Sequence, residues 1–150
     1  MSEITKSMLD HPFFKDSEVA HVDFLGDCAS SVYFPARTHM FREGERAGRL
    51  YLIQRGKIAI ELPMPGRDPL SIMTVDAGGV VGWSWLFPPY RWNFSARIVE
   101  DTSAVALDTN CLLLKCREDY RIGYELMWRC ANVVGERLEA TRAQLLSAMS

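Results

Sequence analysis

Val80-Val81-Gly82-Trp83-Ser84-Trp85-Leu86-Phe87-Pro88-Pro89-Tyr90-Arg91-Trp92-Asn93-Phe94-Ser95-Ala96-Arg97 has the frame of a phosphate cradle with aromatics in place of its charged ligands. Such a cradle needs a glycine so that backbone N–H groups can approach the anion, a helix N-terminus after it, and a cation to neutralise the charge. Gly82 supplies the first, and the short segment from Trp83 to Phe87 is expected to supply the second. The cation is missing from its expected place. Instead Trp83, Trp85, Phe87, Tyr90, Trp92 and Phe94 put six aromatics into twelve residues, in a chain that is 11% aromatic. Some of these rings are expected to face the space the anion would occupy.

On either side of this segment the pattern is that of short strands. Ile58, Ile60 and Leu62 alternate with Lys57, Ala59 and Glu61, the period of a half-buried strand. The run from Pro63 to Pro69 predicts a hairpin loop, because prolines remove ladder donors and Gly66 tolerates a positive φ. Leu70 to Val75 returns as the next strand, and Asp76 to Gly79 turns the chain toward the cradle. After it, Ala96 to Glu100 and Ala104 to Leu107 predict two strands that close an antiparallel roll, separated by Glu100 to Thr102. Upstream, an amphipathic stretch from Ile4 to about Val22 carries His11-Pro12-Phe13-Phe14, whose phenyl rings are expected to pack. Downstream, Thr109-Asn110 is a plausible N-cap pair for a short helix through about Arg117, and Asp119 caps the next.

Tyr33-Phe34-Pro35, Phe41-Arg42-Glu43-Gly44-Glu45, Arg49-Leu50-Tyr51-Leu52-Ile53 and Gly56-Lys57-Ile58 follow in an order and spacing that resembles the cyclic-nucleotide-binding domain of the Crp/Fnr regulators, from about Phe34 to the C-terminus. The resemblance implies a mainly β fold with flanking α: an antiparallel, jelly-roll-like β-roll with an N-terminal helix and a long C-terminal dimerisation helix. It divides one domain, 1–150, into a helical lead-in (1–28), the roll (29–108) and C-terminal helices (109–150). In members that bind nucleotide, the cassette reads Gly-Glu-Leu followed by Arg-Ser-Ala or Arg-Thr-Ala. The Glu holds the ribose 2′-hydroxyl, and the Arg and the hydroxyl hold the cyclic phosphate. Here Trp83 follows Gly82 where the Glu is expected, and Phe94 precedes Ser95-Ala96 where the Arg is expected.

Hydrogen bonds to charged groups contribute roughly 1.5–3 kcal/mol each, so losing both ligands weakens binding on the order of a hundredfold to ten-thousandfold. The candidate ligand-binding set is therefore Gly82, Trp83, Ser84, Trp85, Arg91, Phe94, Ser95 and Ala96, with a cyclic nucleotide possible and not favoured. Three readings remain open for it. The aromatics fill the pocket themselves, with Pro88-Pro89 stiffening the loop that presents them. Alternatively a ligand enters, either one that is less polar or differently charged or a cyclic nucleotide whose phosphate is held by Arg91 or Arg97. Or Trp, Tyr and Arg are displayed as anchors for a protein partner.

Tyr120, Tyr124, Met127, Ala131, Val134, Leu138, Thr141, Leu145 and Ala148 follow one another at alternating spacings of four and three, an unbroken heptad seam. A second stripe, Ile122, Leu126, Cys130 and Val133, lies to one side of it over the first half. That pattern suits a helix that packs one face on its own roll and the other on a second copy. Its 29 residues extend about 43 Å and outrun a small barrel. The seam predicts a homodimer.

Composition narrows the function classes. Of the 150 residues 48% are apolar and 24% charged, as in ordinary globular domains. A net charge of −2 offers no basic field for nucleic acid or an anionic membrane, and after the long helix no residues remain for a DNA-reading domain. DNA binding by this chain alone and membrane insertion are not expected. Without an apolar leader, the cytoplasm is the expected location. Cys28, Cys111, Cys116 and Cys130 have no Cys-x-x-Cys spacing, and His11, His21 and His39 lie far from the last three in sequence, so buried reduced thiols without metal are expected. No Gly-x-Ser-x-Gly, Gly-Lys-Ser/Thr loop or His-Glu-x-x-His is present, and Glu43 and Glu45 beside Arg42 and Arg46 fit a solvated turn better than an acid/base dyad. These features predict a non-enzymatic sensor or adaptor.

Overall fold

The computed structural model describes residues 2–150. Helix α1 (Glu3–Asp10) is capped by Ser2, whose hydroxyl accepts from the Thr5 N–H. A single 3-10 turn (Pro12–Phe14) and α2 (Val19–Leu25) follow, so the amphipathic lead-in is two short helices, broken at Pro12, which lacks an N–H. Phe13 and Phe14 are buried edge to face, as their apolar spacing predicts.

The roll comprises β1 (Ala29–Phe34), β2 (His39–Phe41), β3 (Arg49–Leu62), β4 (Leu70–Asp76), β5 (Val80–Val81) and β6 (Ser95–Asp108). All pairings are antiparallel: β6 lies between β1 and β3, β4 adds to the other edge of β3, β2 pairs with β6 and β5 with β3. The backbone of the roll is the long β3–β6 ladder, from Arg49↔Asp108 to Glu61↔Ser95. Its register shifts around Arg55 and Lys57, beside Gly56. Gly56 has φ +110°, and a Cβ there would sit 2.6 Å from the Asp101 carbonyl oxygen and 2.7 Å from the Thr102 Cα. The bend needs glycine, and it lets one strand serve both ends of the roll.

That bend corrects a sequence expectation: Ala96–Glu100 and Ala104–Leu107 are parts of the single strand β6, which runs on past Gly56. The irregularity at Glu100–Thr102 is a shift of register, absorbed while the hydrogen-bonding continues. Nor is β3 half-buried: Ile58, Ala59, Ile60 and Glu61 are all buried. Glu61 is tolerated there because Arg97 Nε donates to it at 3.1 Å. The hairpin loop between Leu62 and Leu70 and the turn after Asp76 stand where the prolines and glycines place them.

Helix α3 (Thr109–Glu118) is capped by Asp108, one residue before the expected pair, whose carboxylate accepts from the Cys111 N–H. Asp119 caps α4 (Tyr120–Ala148), accepting from the Arg121 and Ile122 N–H groups. The stripe Ile122, Leu126, Cys130 and Val133 is buried against the rest of the fold. The second face of α4 is uncovered: Tyr120 is 81%, Tyr124 75%, Leu138 65% and Leu145 60% exposed. Among the described residues no helix is long and apolar enough to cross a membrane.

The expectation of four reduced thiols is overturned. Cys28 and Cys111 form a disulfide across 83 residues of sequence. The sheet brings them together: the pairing Ala29↔Leu107 sets the end of the lead-in beside the start of α3. Cys116 and Cys130 are free, and burial pushes the Cys130 thiol up to about 12, with Cys116 adding a smaller push.

Candidate functional site

The cassette begins at β5, held on β3 by Tyr51↔Val81 and Leu52↔Val80. Gly82 follows with φ +107°, where a Cβ would meet the Trp92 ring at 2.8 Å and the Arg49 carbonyl oxygen at 2.9 Å. This position is therefore reserved for glycine by both conformation and space. The expected helix after it is only one 3-10 turn, Ser84–Leu86, too short to build a useful dipole. The Trp85 indole N–H donates to the Gly82 carbonyl and buries the ring, and the Ser84 hydroxyl is buried beside it without a partner.

The loop from Phe87 to Asn93, with a cis peptide between Pro88 and Pro89, is sewn to the turn at 44–47. The N–H groups of Ala47, Trp92 and Gly44 donate to the carbonyls of Tyr90, Glu45 and Trp92 respectively. From Arg91 to Phe94 burial alternates, Arg91 and Asn93 exposed and Trp92 and Phe94 buried. Trp92 goes inward and stacks on Phe41 at 3.7 Å between centroids and 9° between planes. Phe94 follows it inward, 5.7 Å from Phe41 and 5.9 Å from Trp83. Phe87 and Tyr90 stay about half exposed.

A cavity of about 190 Å³ lies between this aromatic wall and α4. Gly82, Trp83, Asn93 and Phe94 line it from the cassette, Ile60, Leu62, Ile72, Met73 and Val81 from the strands, and Arg137 and Thr141 from the helix. Of the eight cassette residues singled out by sequence, only Gly82, Trp83 and Phe94 line it. Trp85, Ser84 and Ala96 are core, and the Ser95 hydroxyl accepts from the Glu43 N–H at 2.9 Å.

The two arginines considered for a phosphate are engaged elsewhere. Arg91 Nη1 donates to the Gly44 carbonyl at 2.9 Å, and its side chain borders a separate open groove of about 510 Å³ with Arg46, Trp85 and Pro89. Arg97 is paired with Glu61. Glu43, Glu45, Arg42 and Arg46 are exposed, the solvated turn their spacing suggested.

Sequence reasoning missed the helical wall. Arg137 is not among the residues singled out from the sequence, and Thr141 is expected only as a seam position. In the fold both line the cavity, and the Thr141 hydroxyl donates to the Arg137 carbonyl at 2.8 Å. The signal was faint, since a lone arginine on a long polar helix carries no mark of what it faces.

Of the eight seam residues from Tyr120 to Leu145, Tyr120, Tyr124, Ala131, Leu138, Thr141 and Leu145 are exposed and Met127 and Val134 are half-buried. Trp128, outside the seam, is 57% exposed.

A sequence profile described as the cyclic nucleotide-binding domain matches residues 31–119. An anaerobic regulatory protein of Bacillus subtilis (strain 168) is 34% identical over 92 residues, which are 60% of this chain and 38% of that protein. The chain thus spans well under half the length of that relative. Among solved structures, a cyclic nucleotide-binding domain from Methylobacillus flagellatus superposes with a TM-score of 0.82 at 18% identity, covering 97% of this chain and 82% of the other. A cyclic nucleotide-binding protein from Geobacter metallireducens superposes with a TM-score of 0.78 at 22% identity, covering 92% of this chain and 99% of the other. At those identities the superpositions speak for the fold, and the profile match, which takes in the cassette and both of its flanking strands, speaks for the lineage. The chain belongs to the cyclic nucleotide-binding domain family, as a relative of the Crp/Fnr regulators.

Proposed function

We propose that the chain is a non-enzymatic regulatory domain, dimeric through α4, whose cavity does not read a cyclic nucleotide through the family's usual ligands. One observation carries the reading: the cavity wall presents Trp83 and Phe94 at the two positions where the family pattern has its carboxylate and its guanidinium. Arg91 and Arg97 do not substitute, because one is held by the Gly44 carbonyl and the other by Glu61. A cyclic phosphate on the cassette would face two aromatic side chains with no cation from the roll, so the charge-assisted contacts the family pattern supplies there are lost. The exposed seam residues support dimerisation, and the likeness to the anaerobic regulatory protein of Bacillus subtilis supports a regulatory role. Cytoplasmic location and action of the 150 residues as one unit are parts of the same proposal.

Calorimetry with cyclic AMP tests it. The unmodified protein should give no binding heat at micromolar nucleotide, and the double variant Trp83→Glu/Phe94→Arg should gain measurable affinity, since Gly82 and Ser95 keep the cassette's frame. Micromolar binding by the unmodified protein would overturn the proposal and favour a cyclic-nucleotide sensor.

A second reading has its own observation. Phe87 and Tyr90 are 50% and 49% exposed on either side of Pro88-Pro89, next to the exposed Arg91, a composition suited to a protein partner. The cassette tryptophans take no part in that surface, because Trp85 and Trp92 are buried and Trp83 is half-buried.

A further inference from the structure

The wall that α4 gives the cavity holds a group the roll lacks, the guanidinium of Arg137. Its Nη2 donates to the Val80 carbonyl, and its Nη1 lies 3.4 Å from the Met73 sulfur. Neither acceptor carries a charge. Among the described residues Arg137 forms no ion pair, and its neighbour in sequence, Glu136, is exposed. Burial holds its pKa below the ordinary 12.5, with Glu136 opposing the shift. A guanidinium nevertheless stays protonated in proteins, and these contacts occupy only two of its five N–H donors. A partly desolvated positive charge without a counter-ion is costly, and an anion entering the cavity would remove that cost.

The remaining walls define the rest of the ligand. Ile60, Val81, Trp83 and Phe94 present apolar surface, the two rings meeting at 5.9 Å between centroids and 51° between planes to form one continuous apolar wall. A volume of about 190 Å³ falls below the roughly 300–1,000 Å³ of sites for drug-sized ligands. A single guanidinium matches one carboxylate in a two-pronged pair and leaves a phosphate monoester half-neutralised, while a cyclic nucleotide, also singly charged, is disfavoured by the small volume.

We propose that the cavity between the roll and α4 binds a small organic carboxylate, its apolar body against Trp83 and Phe94 and its carboxylate on Arg137. The inference rests on the reading that the cassette has lost its nucleotide ligands, and it supplies the ligand class that reading leaves open. Binding would also be felt by the helix. The carboxylate competes with the Val80 carbonyl for Arg137, and Arg137 and the Gln144 amide, which donates to the Ile72 carbonyl, are contacts that hold α4 to the strands of the roll.

The probes are phenylacetate, its neutral analogue phenylacetamide, and cyclic AMP, each titrated calorimetrically into the unmodified protein and into Arg137→Gln. Phenylacetate should bind in the millimolar range or tighter, and at least about tenfold more tightly than the amide, as expected for one charge-assisted pair. Arg137→Gln should lower the affinity for phenylacetate by about the same factor and leave that for the amide unchanged. The acid-against-amide comparison needs no variant, so misfolding of Arg137→Gln would not remove the test. Absence of phenylacetate binding at millimolar concentration, equal affinity for acid and amide, or unchanged acid binding by a folded Arg137→Gln would each overturn the proposal. Tight binding of cyclic AMP would instead overturn the reading beneath it, so the two failures are distinguishable.

Discussion

Removing the Cys28–Cys111 bond is the perturbation whose size the fold lets one calculate. The bridge closes a loop of 83 residues that contains the whole β-roll. In the chain-entropy account, a loop of that length lowers the entropy of the unfolded chain enough to stabilise the folded state by about 4.5 kcal/mol. Cys28 is 7% exposed and ends the lead-in, so the two free thiols would still be packed together in the reduced fold. Most of the loss therefore comes from the unfolded state, and the folded contacts change little. For a domain of this size each kcal/mol moves the melting temperature by about 2–4 °C, so Cys111→Ser is expected to lower it by about 10–18 °C. The assay is thermal melting with and without reductant, alongside thiol counting in denaturant after purification without reductant. The unmodified protein should show two free thiols and a large drop on reduction, and Cys111→Ser should melt low and ignore reductant. Four free thiols with no response to reductant would refute the bridge, and would restore the expectation drawn from the cysteine spacing.

The seam predicts that Val134→Glu together with Leu138→Glu converts a dimer to a monomer in sedimentation, because buried unpaired charges cost far more than the apolar contacts they replace. Leu138 is 65% exposed within one copy, so the roll should keep its fold, and a monomeric unmodified protein would refute the seam. A second expectation concerns His11, whose Nε2 faces the carbonyl oxygens of Ile53 and Gly79 at 3.1 Å while Nδ1 accepts from the Phe13 N–H. Burial, against the two carbonyl contacts, holds its pKa below the ordinary 6.5. The folded state then binds fewer protons than the unfolded one, so this contribution is complete above about pH 6.5 and declines as pH falls through the unfolded value toward the lower folded one. His11→Gln should flatten the melting profile between pH 7 and pH 5 by comparison with the unmodified protein, and an identical slope in both would refute the assignment.

The signals legible in the sequence were those carried by neighbours along the chain. The strand at 57–62, the proline loop at 63–69, the Asp119 cap and the buried stripe of α4 depend on local backbone geometry or on helical and strand periods, and each stands where the sequence places it, although the strand is buried on both faces and not on one. Gly82 was legible as the cradle's glycine and Gly56 as part of the family-like motif, while their positive φ angles, and the bend Gly56 makes from within a strand, are set by the fold.

What only the tertiary structure decided were the contacts between residues far apart. Cys28 meets Cys111 because β1 pairs with β6, and no spacing between cysteines encodes a sheet register. Trp83 and Phe94 reach the cavity while Trp85 and Trp92 enter the core: the 3-10 turn and the bond to the Gly82 carbonyl draw Trp85 inward, and pairing with residues 44–47 sets Trp92 against Phe41. Arg137 becomes the cavity's cation because the stripe Ile122, Leu126, Cys130 and Val133 buries one face of α4 and so fixes the rotation of the helix that carries it. A helical period states which residues share a face, and only packing against the rest of the chain states what that face meets.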